Sequence, residues 1–440
     1  MIKHHKKRSK RVVVTFVDRL DRTFRLRAEE GQSILSFLSS LHIPLDSVVV
    51  ERNKEIVNED VLICTKDSIV IRMVRAYHLY DFLKELHFWE KNNLGCAGVK
   101  TPYLYAKRLL WFEKNGQANL VSERISRKEF PDFLENIFVQ SILEKNLIQE
   151  GDTIGLALSG GRDSLALLYL LSNTKERLPS FKLEGVTVCE ISNIQDLKIA
   201  CKASKRLGVE HALLDVGIVK KMFGLKVSME EALKIILERH GLAKAINCAH
   251  AYIKTCVERY FASRGIYKIA FGLHNEDLLA SLLRSIVNGI SFGESFYQKT
   301  WGPFNFIYPL WGITKKELTI YLDVVAPKEH SSQGNPAAFD RGGYSRDIQY
   351  FIADSLQTLW PGFSYHAFEG YQKLFSEANI AIKYQKCCNC QGLYVVDKES
   401  EEGQNQSENI CYLCKLLLET NQLEERRAEK IFSSSSFFGN

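Results

Sequence analysis

Apolar and polar positions alternate along Arg11–Val17, which predicts a strand, and a second strand is predicted over Thr23–Ala28. Glu30-Gly31-Gln32-Ser33 breaks the alternation. A helical apolar period then runs through Leu41, with Ser33 as its N-cap. Ser47–Glu51 and Ser68–Val74, rich in Val and Ile, predict two further strands. Residues 78–150 read as mostly helical, with Tyr103, Tyr105, Lys107, Arg108 and Trp111 interleaved. Such a mixture can stack on and clamp nucleic acid, or it can be a linker helix packing its aromatics on a core, and the second reading is preferred. From 151 to about 325 strands and helices alternate. Strands are predicted at Thr153–Leu158, Leu183–Cys189, His211–Leu214, Lys268–Gly272 and Asn305–Tyr308. Helices are predicted at Ser164–Leu171, Asp196–Leu207, Met229–His240 and Ala251–Ser263, then near Thr314–Val325 and Ser345–Gln357. This alternation implies a parallel sheet covered by helices on both faces.

With 440 residues, 45% hydrophobic and 25% charged, the chain has the composition of a globular protein of two or three domains. No apolar run reaches the roughly 18 residues of a membrane helix, and no secretory signal is evident, so a soluble cytoplasmic protein without membrane contact is expected. The net charge is +6. Lys3, Lys6, Lys7, Arg8, Lys10 and Arg11 account for all of it, so residues 12–440 are balanced. That basic start can touch phosphates or can be solvated chain. Without an export signal, the 11 cysteines read as metal ligands or catalytic thiols before disulfides.

Ser159-Gly160-Gly161-Arg162-Asp163-Ser164 follows a predicted strand and opens a predicted helix. Two glycines let a backbone approach a phosphate, and the N–H groups of a helix start hold the anion. Ser159 and Ser164 add hydroxyls, while Asp163 can cap the helix or hold Mg2+. The sequence has neither the Gly-Lys-Ser/Thr of a Walker loop nor Gly-x-Gly-x-x-Gly. The run resembles the PP-loop of the ATP pyrophosphatases, which cut ATP between the α and β phosphates and adenylate a carbonyl oxygen.

Gly272-Leu273-His274-Asn275-Glu276-Asp277 resembles the Gly-His-Asn-x-Asp-Asp element of tRNA thiolation enzymes, with the His displaced by one position or replaced by Leu273. Phe223-Gly224, Asn288-Gly289, Tyr308-Pro309-Leu310 with Ile313 and Glu317, and Trp360-Pro361-Gly362 extend the likeness over about residues 145–418. The chain thus resembles the tRNA 2-thiouridine/2-thiocytidine synthetases of the TtcA/TtuA type. The resemblance implies ATP contacts at Ser159, Gly160, Gly161, Arg162, Asp163, Ser164 and Gly272, and Mg2+ held by Asp163 and Asp277. It also implies tRNA as partner, a sulfur donor protein or persulfide, and room for a homodimer. Family members carry a Cys-x-x-Cys and one later Cys, which in many hold an iron–sulfur cluster. Here Cys248 matches the first, Ala251 stands at the second, and Pro327–Ala338 has no Cys. An iron–sulfur cluster is therefore not expected, and Cys248 is left as the candidate sulfur-handling thiol. Cys256 and Cys189 read as structural thiols before ligands.

Cys387-x-x-Cys390 and Cys411-x-x-Cys414 have the spacing of a four-thiolate zinc ribbon. At the other end, the order hairpin, helix, two strands describes a β-grasp. It resembles the ubiquitin-like sulfur carriers of the ThiS/MoaD type through Glu30-Gly31-Gln32-Ser33, Val49–Asn53, Ile56–Asp60 and Lys66–Ile71. Such carriers end in Gly-Gly, whereas here Arg75 runs on into Ala76-Tyr77-His78, so a docking role is expected in place of sulfur carriage. The expected division is 1–77 basic tail and β-grasp, 78–150 helical connector, 151–383 α/β PP-loop domain with a doubly wound parallel sheet, 384–418 zinc ribbon and 419–440 polar tail. The expected function is tRNA thiolation through base adenylation. The alternatives are a tRNA-binding or regulatory paralogue that binds ATP without thiolating, and an adenylating ligase of the lysidine-synthetase type in which an amine attacks.

Overall fold

The computed structural model describes residues 11–17, 23–41, 43–74, 103–112, 118–190, 194–288, 295–327, 344–378, 383–395 and 410–424. The basic start before Arg11, Cys96, Ala76-Tyr77-His78, Gly289, most of Pro327–Ala338 and the end of the polar tail lie outside these residues. The chain divides into two compact units. The first comprises Met1–Asn136, Thr314–Pro327 and Tyr344–His366, and the second Ile137–Ile313, Lys328–Gly343 and Ala367–Asn440. No described helix is long and apolar enough to cross a membrane.

In the first unit, β1 (Arg11–Val17), β2 (Thr23–Glu29), β3 (Val48–Arg52), β4 (Glu55–Val57) and β5 (Ile69–Met73) form a sheet of order β2-β1-β5-β3-β4. β1 and β5 are parallel and the other pairs antiparallel. The helix Ile34–Ser40 comes between the β1–β2 hairpin and β3. The period of two sends Val12, Val14 and Phe16 inward to meet Ile69, Ile71, Val48 and Val50. Ile34, Leu35, Phe37 and Leu38 of the helix close that core, each full burial contributing about 1.5–3 kcal/mol. Ser33 caps the helix by accepting from the Ser36 N–H at 3.1 Å.

Residues 105–125 depart from the helical reading. β6 (Tyr105–Phe112) and β7 (Ala118–Ile125) pair antiparallel, from Tyr105 opposite Ile125 to Phe112 opposite Ala118. Tyr, Trp, Leu and Val favour a pleated surface. Asn115-Gly116 between the strands is the hairpin-turn dipeptide, a stronger local signal than the aromatic–basic interleaving. Nor do the basic residues stand ready for nucleic acid. Lys107 binds Glu317 at 2.7 Å, and Arg108 lies 3.6 Å from both Glu59 and Asp60. The Tyr105 hydroxyl donates to Glu317 at 3.0 Å.

These groups belong to a buried polar network around the helix Lys315–Val325. Its N-terminus is a capping box of Thr314 and Glu317. Lys316, buried, donates to the Leu45 carbonyl at 2.9 Å and to the buried Glu59 carboxylate. Burial would raise the Glu59 carboxyl, but Lys316 and Arg108 outweigh it and hold the group below the ordinary carboxylate value.

The second unit is built on β8 (Asp152–Ala157), β9 (Phe181–Val188), β10 (Glu210–Leu214), β11 (Lys268–Ala270), β12 (Gln298–Trp301) and β13 (Phe304–Ile307). The sheet order is β10-β9-β8-β11-β13-β12, all parallel except the edge pair β12–β13. From β8 the chain winds outward through β9 and β10, then returns to β11 on the other side of β8. The C-terminal ends of β8 and β11 therefore flank the point where winding reverses, which is where open α/β sheets bind ligands. The helix Arg162–Asn173 is buried along Ser164–Leu171. Gly155 in β8 has no side chain because one would stand 2.6 Å from the Phe261 ring of the helix Leu242–Ser263. A two-stranded hairpin, β14 (Tyr384–Lys386) and β15 (Leu393–Val395), and the helix Tyr412–Glu419 carry the cysteine pairs. The parallel α/β sheet agrees with the sequence reading.

Replacing Lys316 by Met leaves Glu59 buried without its main cation, a defect that costs about 3–5 kcal/mol. Denaturant unfolding at neutral pH should show that loss. Because the folded value of Glu59 is depressed, its stabilising contribution exists above the unfolded value and disappears as pH falls through the folded one. The gap between wild type and Lys316→Met should therefore narrow on acidification. A gap independent of pH would contradict the pairing.

Candidate functional site

The loop after β8 is shaped by glycine. Gly160 has φ +79°, and a β-carbon there would lie 2.1 Å from the Asp196 carbonyl oxygen of the helix Ile194–Arg206. No other residue fits. Gly161 is the N-cap of the helix Arg162–Asn173 and supplies no side-chain cap, so the amides of the first turn face the mouth of the sheet. Ser159 and Ser164 brace the turn. Their hydroxyls are 3.0 Å apart, the Ser159 N–H donates to Ser164 Oγ at 3.1 Å, and the Gly161 N–H donates to Ser159 Oγ at 3.2 Å. The Ser164 hydroxyl donates to the Gly161 carbonyl at 3.1 Å. Arg162 and Asp163 occupy the first turn and are half-buried.

The exit of β11 meets this loop backbone to backbone. A β-carbon on Gly272 would stand 2.9 Å from the Ser164 nitrogen and 3.1 Å from the Asp163 carbonyl carbon. The structure thus brings Gly272 together with Asp163 and Ser164. Asp277 lies in the first turn of the helix Asn275–Asn288 and accepts from the His274 N–H at 3.3 Å. His274, left aside by the sequence reading as a displaced residue, is buried between two acids. Its Nδ1 is 2.8 Å from Glu276 and its Nε2 3.0 Å from Asp277. The signal was present, since a His directly before a helix start with acids two and three residues later can reach both. Asn275 holds the turn through its N–H to the Ile313 carbonyl and its amide to the Trp311 carbonyl, both at 2.9 Å.

The cysteines separate into two groups. Cys248 lies one turn before Tyr252, whose hydroxyl donates to Glu190 just beyond β9 at 3.0 Å. Its thiol is buried and, among the described residues, makes no hydrogen bond. Burial, then Cys411, pushes it up to about 12, so it is a neutral thiol and a weak nucleophile. Its electrostatic neighbours are Cys411, Tyr412 and Lys244. Cys256 is buried and also raised, chiefly by burial. Cys189 follows β9 and is raised by burial, then by Asp215, Cys201 and Glu190.

Cys387, Cys390, Cys411 and Cys414 converge, with all four sulfurs within 4.8 Å of one another and Cys390 and Cys411 3.7 Å apart. The first pair sits in the turn between β14 and β15; the second opens the helix Tyr412–Glu419, whose N-terminus favours thiolate. The Cys411 N–H donates to Cys387 Sγ and the Asn389 amide to Cys414 Sγ, both at 3.3 Å, partners that orient ligand sulfurs. Cys388 is exposed and stands outside the set. The helix Leu242–Ser263 anchors this lobe. Arg259 donates to the Cys390 carbonyl at 2.8 Å, and Lys254 stacks 3.6 Å over Trp301 while reaching the Leu393 carbonyl.

Four converging thiolates fit a structural metal site, and metal binding there is folding energy. Metal analysis should find one occupied site per chain. Cys387→Ser should lose the metal and loosen the lobe of residues 383–424. Full metal retention in a Cys390→Ser/Cys414→Ser chain would refute the assignment.

No family model matches the chain. It is similar to a probable sulfurtransferase of Methanocaldococcus jannaschii, 25% identical over 292 residues, 65% of this chain and 80% of that protein. It is similar as well to the cytoplasmic tRNA 2-thiolation protein 1 of Oryza sativa subsp. japonica, 26% identical over 217 residues, 45% of this chain and 54% of that protein. The chain thus spans only about half the length of the rice relative. Among solved structures, the U34-tRNA thiolase NcsA from Methanococcus maripaludis with its [4Fe-4S] cluster has a TM-score of 0.52 at 18% identity. That likeness covers 76% of this chain and 98% of NcsA, and shows a shared fold.

This neighbour corrects one expectation. From the sequence an iron–sulfur cluster is not expected, because Cys248 alone occupies a family cysteine position. A thiolase of this fold carries a [4Fe-4S] cluster, and Cys387, Cys390, Cys411 and Cys414 offer a four-thiolate set that could bind one. Four thiolates serve zinc and iron–sulfur clusters alike. With a glycine-built loop at the reversal point of the sheet, the chain is similar to sulfurtransferases and tRNA 2-thiolation proteins and shares the fold of a tRNA thiolase.

Proposed function

We propose that this chain is an ATP-dependent tRNA-thiolating enzyme that acts in the cytoplasm. The observation that carries the reading is the phosphate loop itself, two backbone-packed glycines and an uncapped helix start at the ligand edge of a parallel sheet. The amides from Gly160 to Ser164, with the hydroxyls of Ser159 and Ser164 and the Arg162 side chain, bind ATP phosphates. Gly272 lets the exit of β11 pack directly against this loop. Asp163 and Asp277 hold Mg2+, which neutralises the phosphate charge; His274 fixes the Asp277 carboxylate. A tRNA base carbonyl oxygen attacks the α-phosphorus and pyrophosphate leaves. A sulfur nucleophile then adds to the activated carbon and AMP departs with the original oxygen. The sulfur comes from a donor protein as sulfide, or from a persulfide whose S–S bond is then broken by a second thiol that is oxidised to the disulfide. Cys248, as a buried neutral thiol, does not serve as the attacking group in this arrangement.

The same burial motivates a second reading, a paralogue that binds ATP and tRNA without transferring sulfur. Product analysis addresses the chemistry directly. With ATP, Mg2+ and tRNA, the protein should form AMP and pyrophosphate in equal amounts. Asp163→Ala should slow this by about a hundredfold or more, and Gly160→Ala should abolish ATP binding while leaving the metal content unchanged. ADP and inorganic phosphate as the products would overturn the proposal.

A further inference from the structure

We propose that the outward face of the β1–β2 hairpin is a contact surface for the phosphate backbone of tRNA. The proposal rests on the tRNA reading above. Its first support is where the charge lies. Residues 1–29 contain ten basic and three acidic side chains, a net +7, against +6 for the whole chain, so residues 30–440 sum to −1. All of the excess positive charge belongs to this hairpin and the segment that leads into it.

The second support is the register. Val12, Val14 and Phe16 point into the core, so Arg11, Val13 and Thr15 point out. Arg27 stands opposite Val13 and Arg25 opposite Thr15, so both guanidinium groups project from that outward face together with Arg11. Two residues apart on one strand, Arg25 and Arg27 can straddle one phosphate or reach two in succession. β2 is also the edge of the sheet.

The third support is that these cations are unspent. Arg11, Arg25 and Arg27 are exposed, and none has a carboxylate partner among the described residues. Elsewhere in the same unit, Arg52, Arg72, Arg108 and Arg124 are all ion-paired. Val13, 54% exposed between the arginines, offers apolar contact to a ribose. The face carries Glu29 as its one acid, at the far end beside Arg11. An RNA backbone suits it because guanidinium forks bind phosphate oxygens two at a time and need no particular base. A lipid surface would call for a larger apolar face than Val13 and the half-buried Val17.

The test measures tRNA affinity of the full chain as a function of salt. Arg25→Gln/Arg27→Gln should weaken binding about tenfold near physiological salt and lower the slope of log K against log salt by roughly two, one per lost phosphate contact. Arg25→Lys/Arg27→Lys should restore most of both, since point charges still release counterions. Pyrophosphate formation at saturating tRNA and metal content should not change in either variant. If the Gln variant binds tRNA with wild-type affinity and slope, the surface is not there. Intact tRNA binding with lost binding to phosphatidylserine vesicles would assign the face to a membrane and overturn the proposal. A wild-type chain that binds no tRNA at all would remove both this surface and the thiolation reading, whereas the first outcome removes the surface alone.

Discussion

The candidate phosphate site depends on backbone packed against backbone at two places where no β-carbon is tolerated. Gly160 lies under the Asp196 carbonyl, and Gly272 lies against the nitrogen of Ser164. The two contacts lock the loop between the helix that follows β9 and the strand β11. They thereby fix where the first-turn amides of the helix Arg162–Asn173 point. The fold supplies the rest of the geometry. The sheet reverses its winding between β8 and β11, so both glycines lie at the edge where open α/β sheets bind ligands. Side chains enter only afterwards. Ser159 and Ser164 brace the turn, and His274 holds Asp277 from a buried position.

Each unit solves its own packing problem with polar groups as well as apolar ones. In the first, the small core of the five-stranded sheet is extended by the helix Lys315–Val325 and the β6–β7 hairpin. The buried charges of Lys316, Glu59, Arg108 and Glu317 neutralise one another there. Breaking such a set is costly, while the complete set contributes modestly to stability, so its effect is on register and placement. In the second, the four-cysteine lobe is held on the helix Leu242–Ser263 by Arg259 and Lys254. Gly392 lacks a side chain because one would meet Thr255 at 2.7 Å. The metal lobe and the core of the α/β domain are thus joined through one helix, the same helix that carries Cys248.

Features written in local spacing were legible in the sequence. The strand–Gly-Gly–helix loop, the paired Cys-x-x-Cys runs, and the β1, β2 and β5 strands all emerge from short-range patterns. The strand ends shift by only one or two residues, as between Thr153–Leu158 and Asp152–Ala157. The β6–β7 hairpin was hidden because charged residues interrupt its alternation. Lys107 and Arg108 look solvent-bound until Glu317 and Glu59, distant in sequence, are brought to them. His274 was likewise obscured, since its role depends on burial between acids. The iron–sulfur expectation failed for a different reason. It asked only whether cysteines occupy inherited positions, whereas a cluster needs thiolates gathered in space wherever they come from.

In the proposed reaction this loop activates a tRNA carbonyl for replacement by sulfur. The most direct measurement is the mass of nucleosides digested from tRNA after incubation with the protein, ATP, Mg2+ and a sulfide or persulfide donor. That reaction should yield one nucleoside heavier by the difference between sulfur and oxygen, formed only with ATP and absent with Asp163→Ala. An unchanged nucleoside pool in the presence of steady AMP formation, or a base enlarged by an amine, would contradict it.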